Sequence, residues 1–319
     1  MKIGKKLLLL ALLLSPLTSV HSFPDKPVRI IVPFPPGGGV DVLIRAVAAE
    51  LTAKWDAPVI VENKPGAGSV IGASYVAKAD PDGHTLLATI NQTLTSNRFL
   101  YKNLTYQPDD FVPVTLLTRS DQLLLASQNV HAKDLKGLQN EVKAGKSFTF
   151  GSFGAGSQPH LLYSLLQTEM NADMVHVPYK GVSPALTAVV SGEVDLTTSS
   201  ANVAGAMLNA GKIRALAVAG PTRSSMFPDV PTTVEQGYPN LQAAVLYVLV
   251  APPNTPDDIA SGIAADVIEI MQRPEFVQKH ATSRGLDVVA GGPQVLKKAL
   301  HDDTEMSRRM VEAAGVTPE

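Results

Sequence analysis

Pro33-Phe34-Pro35-Pro36-Gly37-Gly38-Gly39-Val40-Asp41 joins an apolar strand to an apolar-striped helix, and the rest of the chain repeats that junction. Ahead of it lies Val28-Arg29-Ile30-Ile31-Val32, a run rich in β-branched residues of the kind that packs inside a parallel sheet. Behind it, Val40, Leu43, Val47 and Leu51 recur at helical spacing. Three glycines between strand and helix free the backbone to turn sharply and to approach a ligand, while the first N–H groups of the helix lack acceptors. Such a loop can hold an anion.

The same alternation continues outward. Pro58 to Val61 reads as a strand, Glu62 to Ser69 as a glycine-bearing loop, Val70 to Ala79 as a helix and Thr85 to Ile90 as a third strand, ending in the polar run Asn91 to Asn97. That order belongs to a parallel α/β sheet, whose ligands gather at the carboxyl ends of the strands, so the triple-glycine loop and the Asn91–Ser96 loop are expected on one edge. Strands over Phe111–Leu117 and Leu123–Ala126 flank Thr118–Gln122, where the first crossing between domains is expected. The opening design then returns: strand Ser147–Phe150, loop Gly151–Ser157, and a helix with Ser157 as N-cap and Pro159 in its first turn. It returns again as Val175–Tyr179, Lys180–Ser183 and a helix over Pro184–Val190 capped by Ser183. Glu193–Leu196 and Ile213–Val218 read as further strands, Val245–Val250 as the return crossing, Asp257–Met271 as a helix, and Asp287–Glu319 as a tail with at least one helix over the first domain.

A chain of 319 residues with 45% apolar side chains can build two domains, each with its own core. Residues 1–22 read as a secretory signal: Lys2, Lys5 and Lys6 precede the apolar run Leu7–Leu14, and the cut is expected after Ser22. That run is too short to span a bilayer, which takes about 20 residues. No cysteine occurs, so neither a disulfide nor a cysteine-linked lipid is available. With the signal removed, 24 Lys+Arg stand against 29 Asp+Glu, a charge of −5 that argues against nucleic acid or an anionic membrane surface as partner. The expected product is a free periplasmic monomer.

Several enzyme and cofactor readings fall on spacing. Gly66-Ala67-Gly68 with Gly72 invites a dinucleotide reading, but the spacing is G-x-G-x-x-x-G with Pro65 in the turn. There is no Gly-Lys-Ser/Thr for a phosphate loop and no Gly-x-Ser-x-Gly elbow. Seven histidines show no zinc-site spacing, so neither metal nor cofactor is expected. A periplasmic enzyme would have to draw on Ser152, Ser157 and His160. His160 reads equally as a ring packed at a helix start, Asp41 as a residue complementing the helix dipole, Lys180 as a solvated surface lysine, and Trp55 as a plug at the edge of the first domain.

Six stretches carry a family resemblance: Lys26–Asp41, Val61–Gly68, Pro81–Leu87, Gly151–Leu161, Val177–Leu186 and Pro228–Gly237. In this order they resemble the Bug family, the periplasmic receptors of tripartite tricarboxylate transporters. The resemblance implies an α/β, two-lobed Venus-flytrap fold of the type II periplasmic binding class, each lobe a mainly parallel sheet flanked by helices. Residues 23–118 and 248–319 would form one lobe and 119–247 the other, hinged near Thr118–Gln122 and Val245–Val250. It implies a non-enzymatic protein that binds a small organic acid and docks on integral-membrane transporter subunits, or, with the same binding, a sensor that presents ligand to a signalling kinase. The family holds the ligand's carboxylate by backbone groups and bridging waters. Carried onto this chain, those positions are Phe34, Pro36, Gly37, Gly38 and Gly39 facing Gly154, Ala155, Gly156 and Ser157, with Asn91, Thr93, Ser96, Tyr179, Gly181 and Thr198 lining the sides. Two departures, the polar run Asp195–Ser199 and the absence of tryptophan from Ala244–Val250, fall where the far end of a ligand would sit.

Overall fold

Alternating apolar strands and glycine-led helices build both halves of the molecule. The structure is a computed structural model that describes residues 23–318; the signal reading of 1–22 lies outside them. In chain order the first elements are β1 (Val28–Val32), α1 (Gly39–Trp55), β2 (Val59–Asn63), α2 (Val70–Ala77), β3 (Thr85–Ile90) and two single-turn helices, α3 (Asn91–Leu94) and α4 (Asn97–Leu100). Then follow β4 (Val112–Ala126), α5 (Leu135–Lys143), β5 (Phe148–Ser152), α6 (Gln158–Met170), β6 (Met174–Pro178), α7 (Val182–Ser191), β7 (Leu196–Ser200), α8 (Ala201–Asn209) and β8 (Arg214–Ala219). β9 (Ala244–Ala251), α9 (Asp257–Met271), α10 (Pro274–His280), β10 (Asp287–Gly291) and α11 (Pro293–Ala314) complete the order. Among the described residues no helix is long and apolar enough to cross a membrane.

The result is a two-lobed α/β periplasmic-binding fold whose sheets are parallel at their outer ends and antiparallel where they meet. β1 pairs in parallel with β2 and β3, and β5 in parallel with β6 and β7. Between these triplets runs β4, a single 15-residue strand. Its residues up to Asp121 pair with β9, and those from Gln122 onward pair with β7 and β8. The sequence reading broke this strand into two at Thr118–Gln122. The polar Thr118-Arg119-Ser120-Asp121-Gln122 looks like a turn, yet its backbone is satisfied by strands remote in sequence, which no local pattern reports.

Two other boundaries move for similar reasons. The strand expected over Glu193–Leu196 instead spans Leu196–Ser200, because Thr197, Thr198 and Ser199 are buried between helical layers despite their polarity. The tail expected over the first domain does start there, with Leu296 packed beside Leu246 and Val248. α11, however, has 22 residues, about 33 Å of helix, and delivers Met310 and Val311 to the second core beside Phe150 and Leu162.

Candidate functional site

Each strand-to-helix turn leaves N–H groups at the head of its helix, and the question is which of them the protein itself uses. In the first turn Gly38 is the N-cap of α1 and has no capping side chain. Gly37, at φ +85°, donates its N–H to Asp41 Oδ2 at 2.9 Å. Asp41 is 2% exposed and also accepts from Arg45 Nε at 3.1 Å and from Asn63 Nδ2 at 2.8 Å. Burial alone would push its carboxyl up, but Arg45, the Gly37 N–H and Asn63 together hold it below the ordinary carboxylate range. Asp41 is therefore a lock on the turn as well as a dipole-complementing residue, and the Gly37 N–H is already occupied. The N–H groups of Gly38, Gly39, Val40 and Asp41 have no acceptor among the described residues.

Tyr247, on β9, is a site residue that sequence reasoning missed. A Cβ at position 39 would collide with its hydroxyl, so Gly39 is required by close approach. That hydroxyl has no hydrogen-bond partner among the described residues, and burial pushes its pKa up. Ala244–Val250 lacks tryptophan, and its tyrosine lies against the triple-glycine turn.

The second turn is locked by neutral groups. Ser157 is the N-cap of α6 by position, but its hydroxyl turns back to donate to Gly154 O at 2.6 Å and accepts from Phe153 N at 3.3 Å. Gly156, at φ +73°, donates its N–H to His160 Nδ1 at 3.0 Å. Gly154 N donates to Ser152 Oγ at 3.0 Å, and Ser152 Oγ in turn lies 2.6 Å from His176 Nε2. The rings of His160 and His176 stack with centroids 4.0 Å apart. Burial lowers the pKa of His160, and burial with the neighbouring His160 brings His176 down to about 4. The N–H groups of Ala155, Gln158 and His160 have no acceptor among the described residues.

Ala155, Gly156 and Ser157 meet Gln92, Leu100, Tyr101 and His160 around a cavity of about 430 Å³ closed on one side by Ala314–Thr317. Phe34, Pro36 and Gly37–Gly39 do not line it; they form a separate exposed turn, with Phe34 half-buried and its carbonyl accepting from Asn63 Nδ2 at 3.0 Å. A larger cavity, about 680 Å³, sits between α11 and the β4–β9 pair and shares no residue with either turn.

The remaining expected residues are placed as follows. Asn91 bridges Leu246 N and Ala244 O on β9 and reaches Asp303, Thr93 is fully buried between Ser69 and Thr89, and Ser96 pairs with Ser307. Their side chains serve the packing of α3 and α4; of that segment it is Gln92 that faces a cavity. Tyr179 donates to Glu193 at 2.8 Å, and burial with that carboxylate pushes its phenol up to about 12. Gly181, not Ser183, caps α7; Ser183 is already inside the helix. Thr198 is 1% exposed within β7, its hydroxyl without a partner among the described residues.

The arginines near the two turns are neutralised. Arg45 pairs with Asp41 at 2.9 Å and Arg98 with Asp109 at 2.8 Å. Lys180 is exposed and makes no ion pair among the described residues. Among those residues no three His, Asp or Glu side chains gather as metal ligands would. As for an enzyme, Ser152 Oγ is fully buried, and His160 Nδ1 is taken by a backbone N–H and not by either serine.

A family model described as the tripartite tricarboxylate transporter family receptor matches residues 43–316. Protein BugT of Bordetella pertussis is 33% identical, over 85% of this chain and 84% of its own length. MatC of Rhodopseudomonas palustris, solved with bound malate, is 33% identical with a TM-score of 0.71 over 91% of this chain and all of its own. Rpa4515 of R. palustris, solved with adipate, is 28% identical with a TM-score of 0.75 over 93% of this chain and all of its own.

Proposed function

This chain belongs to the tripartite tricarboxylate transporter receptor family, and on that footing we propose that it is a periplasmic, non-enzymatic capture protein for a small organic acid. The observation that carries this reading is the pair of strand-to-helix turns whose leading N–H groups lack acceptors among the described residues while the arginines beside them, Arg45 and Arg98, are already paired. Amides so placed suit a carboxylate: each helix-end contact is worth roughly 0.3 to 2 kcal/mol, and several acting together reach the roughly 8 kcal/mol of micromolar binding. Malate in MatC and adipate in Rpa4515 are carboxylates held by relatives of this fold, which favours the same ligand class here.

The lobes hinge near Thr118–Gln122, the stretch in which β4 changes partners, and near Val245–Val250 on β9. Residues 23–118 with 248–319, and 119–247, then close on the acid by bending at these strands, drawing the two turns together. The closed form docks on integral-membrane transporter subunits and delivers the ligand.

A melting screen against organic acids tests the reading. A ligand at 100 times its dissociation constant adds about 2.7 kcal/mol, which raises the midpoint by several degrees in a protein of this size. Malate, adipate or a related acid is expected to give that shift; a shift with neutral amides and none with any acid would overturn the carboxylate assignment.

A further inference from the structure

The stacked histidines under the second turn are built into its backbone. His160 Nδ1 accepts the Gly156 N–H, so this nitrogen must be unprotonated, and a neutral ring carries its proton on Nε2. Ser152 Oγ accepts the Gly154 N–H and has one proton for two acceptors in reach, Gly154 O at 3.1 Å and His176 Nε2 at 2.6 Å, so the second ring is hydrogen-bonded to the hydroxyl that holds Gly154. The two rings thus hold the turn at Gly154 and at Gly156. They also hold each other: Phe150, His176 and His160 form one stack, with ring planes within about 20° of parallel.

We propose that His160 is a positioning residue for the turn Gly154–Ser157, holding the Gly156 N–H on Nδ1 while it stacks on His176, so that ligand capture by this turn is lost when the pair takes up a proton. The inference rests on the reading of the turn as a ligand wall. A proton on Nδ1 of His160 would set two donors, Nδ1–H and the Gly156 N–H, against each other across 3.0 Å, and the turn would have to open. A proton on His176 is felt by a parallel ring 4.0 Å away. Among the described residues no carboxylate pairs with either ring. β5 contributes Phe150 and Ser152, β6 only His176 itself, and α6 the buried Tyr163, whose hydroxyl donates to Thr197 O. The end of α11 contributes Ala314 and the following Gly315–Thr317, and α4 contributes Leu100, with Tyr101 after it. Of the charged side chains of α11 on this stretch, Arg308, Glu305 and Glu312 pair among themselves at 2.9 and 3.0 Å and Arg309 donates to Asn240 Oδ1 at 3.0 Å, while Arg98 of α4 pairs with Asp109. Both rings are accordingly displaced toward the neutral form.

The test uses the full mature chain, with malate as the probe and two readouts. Calorimetric titration between pH 7.5 and pH 4 is expected to show wild-type affinity falling on acidification more steeply than that of His160→Asn, which shares malate's own protonation, by up to about tenfold per pH unit once the pair titrates. His160→Asn keeps an acceptor for the Gly156 N–H but cannot take a proton. Its affinity is expected to vary less with pH than the wild type's, and at pH 7 to exceed that of His160→Ala by about fivefold, one hydrogen bond's worth. An imidazolium that met the ligand directly would reverse the sign, with affinity rising on acidification, and that result overturns the proposal. The second readout needs no ligand: NMR titration of the ring protons is expected to place both histidines below the ordinary pKa of about 6.5, with the protection of the Gly156 amide against exchange, relative to its intrinsic rate at each pH, falling as they protonate. Free-like titration of both rings, or a Gly156 amide indifferent to it, overturns the proposal whether or not malate binds, so its failure is separable from failure of the carboxylate reading.

Discussion

The two glycine turns look alike in sequence and are held in different ways. In the turn before α1 the lock is a carboxylate, Asp41, which gathers Gly37, Asn63 and Arg45. In the turn before α6 the lock is an imidazole, His160, with two serine hydroxyls and a second imidazole behind it. An anionic lock with its own cation stays charged from neutral pH down to the carboxylate range. A neutral lock with no counter-charge keeps its form only while its rings stay unprotonated. Two walls of the same local design therefore answer differently to acid, and the difference lies in the side chain one turn into the helix, not in the glycines.

The largest effect that could break this comparison is removal of Asp41. Asp41→Ala strands a buried amide, a backbone N–H and a guanidinium, and should cost about 3 kcal/mol in denaturant unfolding. A loss under about 0.5 kcal/mol would mean that the first turn holds itself. Next comes Gly156→Val. Gly156 has φ +73° and a Cβ there would sit 3.1 Å from Leu100, so bulk at this position costs stability as well as binding. A β-branched residue in that conformation is expected to cost about 2 kcal/mol as well as the binding of malate. Retained affinity would remove the second turn from the site.

The pH dependence comes third and sharpens the contrast. A histidine whose folded pKa is depressed binds fewer protons in the native state than in the unfolded one. Stability therefore falls as pH drops from about 6.5 toward about 4, by roughly 1 kcal/mol once solvent screening is allowed for. Asp41, with its pKa depressed, contributes fully in that window and is lost only as pH falls further through its folded pKa. His160→Asn with His176→Asn should flatten the upper window and leave the acid limb in place. A wild-type curve already flat from pH 6.5 to pH 4 would contradict the neutral lock. The smallest effect concerns Tyr247→Phe, which keeps the ring against Gly39 and deletes a hydroxyl without a partner. Malate affinity is expected to fall by about fivefold if that hydroxyl meets the ligand; no change would leave Tyr247 as packing alone.

Much of this was legible in the sequence because it is local. Val28–Val32, the glycines and the apolar stripe of α1 announce a strand, a turn and a helix within 30 residues, and Ser157 with Pro159 marks the head of α6. What stayed hidden depends on partners far along the chain. The continuity of β4 is set by β9 and β8, the place of Tyr247 by the approach of β9 to α1, and the His160–His176 stack by the parallel pairing of β5 with β6. Polar residues misled in both directions. Asn91, Thr93 and Ser96 look like ligand groups but their side chains bond to β9, to α11 and to the buried hydroxyls of Ser69 and Thr89, whereas Asp41 looks like a minor dipole partner and turns out to hold the turn.

A crystal structure of the mature chain with bound malate tests the central claim most directly, that peptide N–H groups and not cationic side chains hold the acid. The prediction is that carboxylate oxygens lie within hydrogen-bond distance, directly or through one water, of N–H groups from Gly38–Asp41 and from Ala155–His160, with Arg45 still on Asp41. A guanidinium or ammonium clamped on the carboxylate, or a malate remote from both turns, would contradict it.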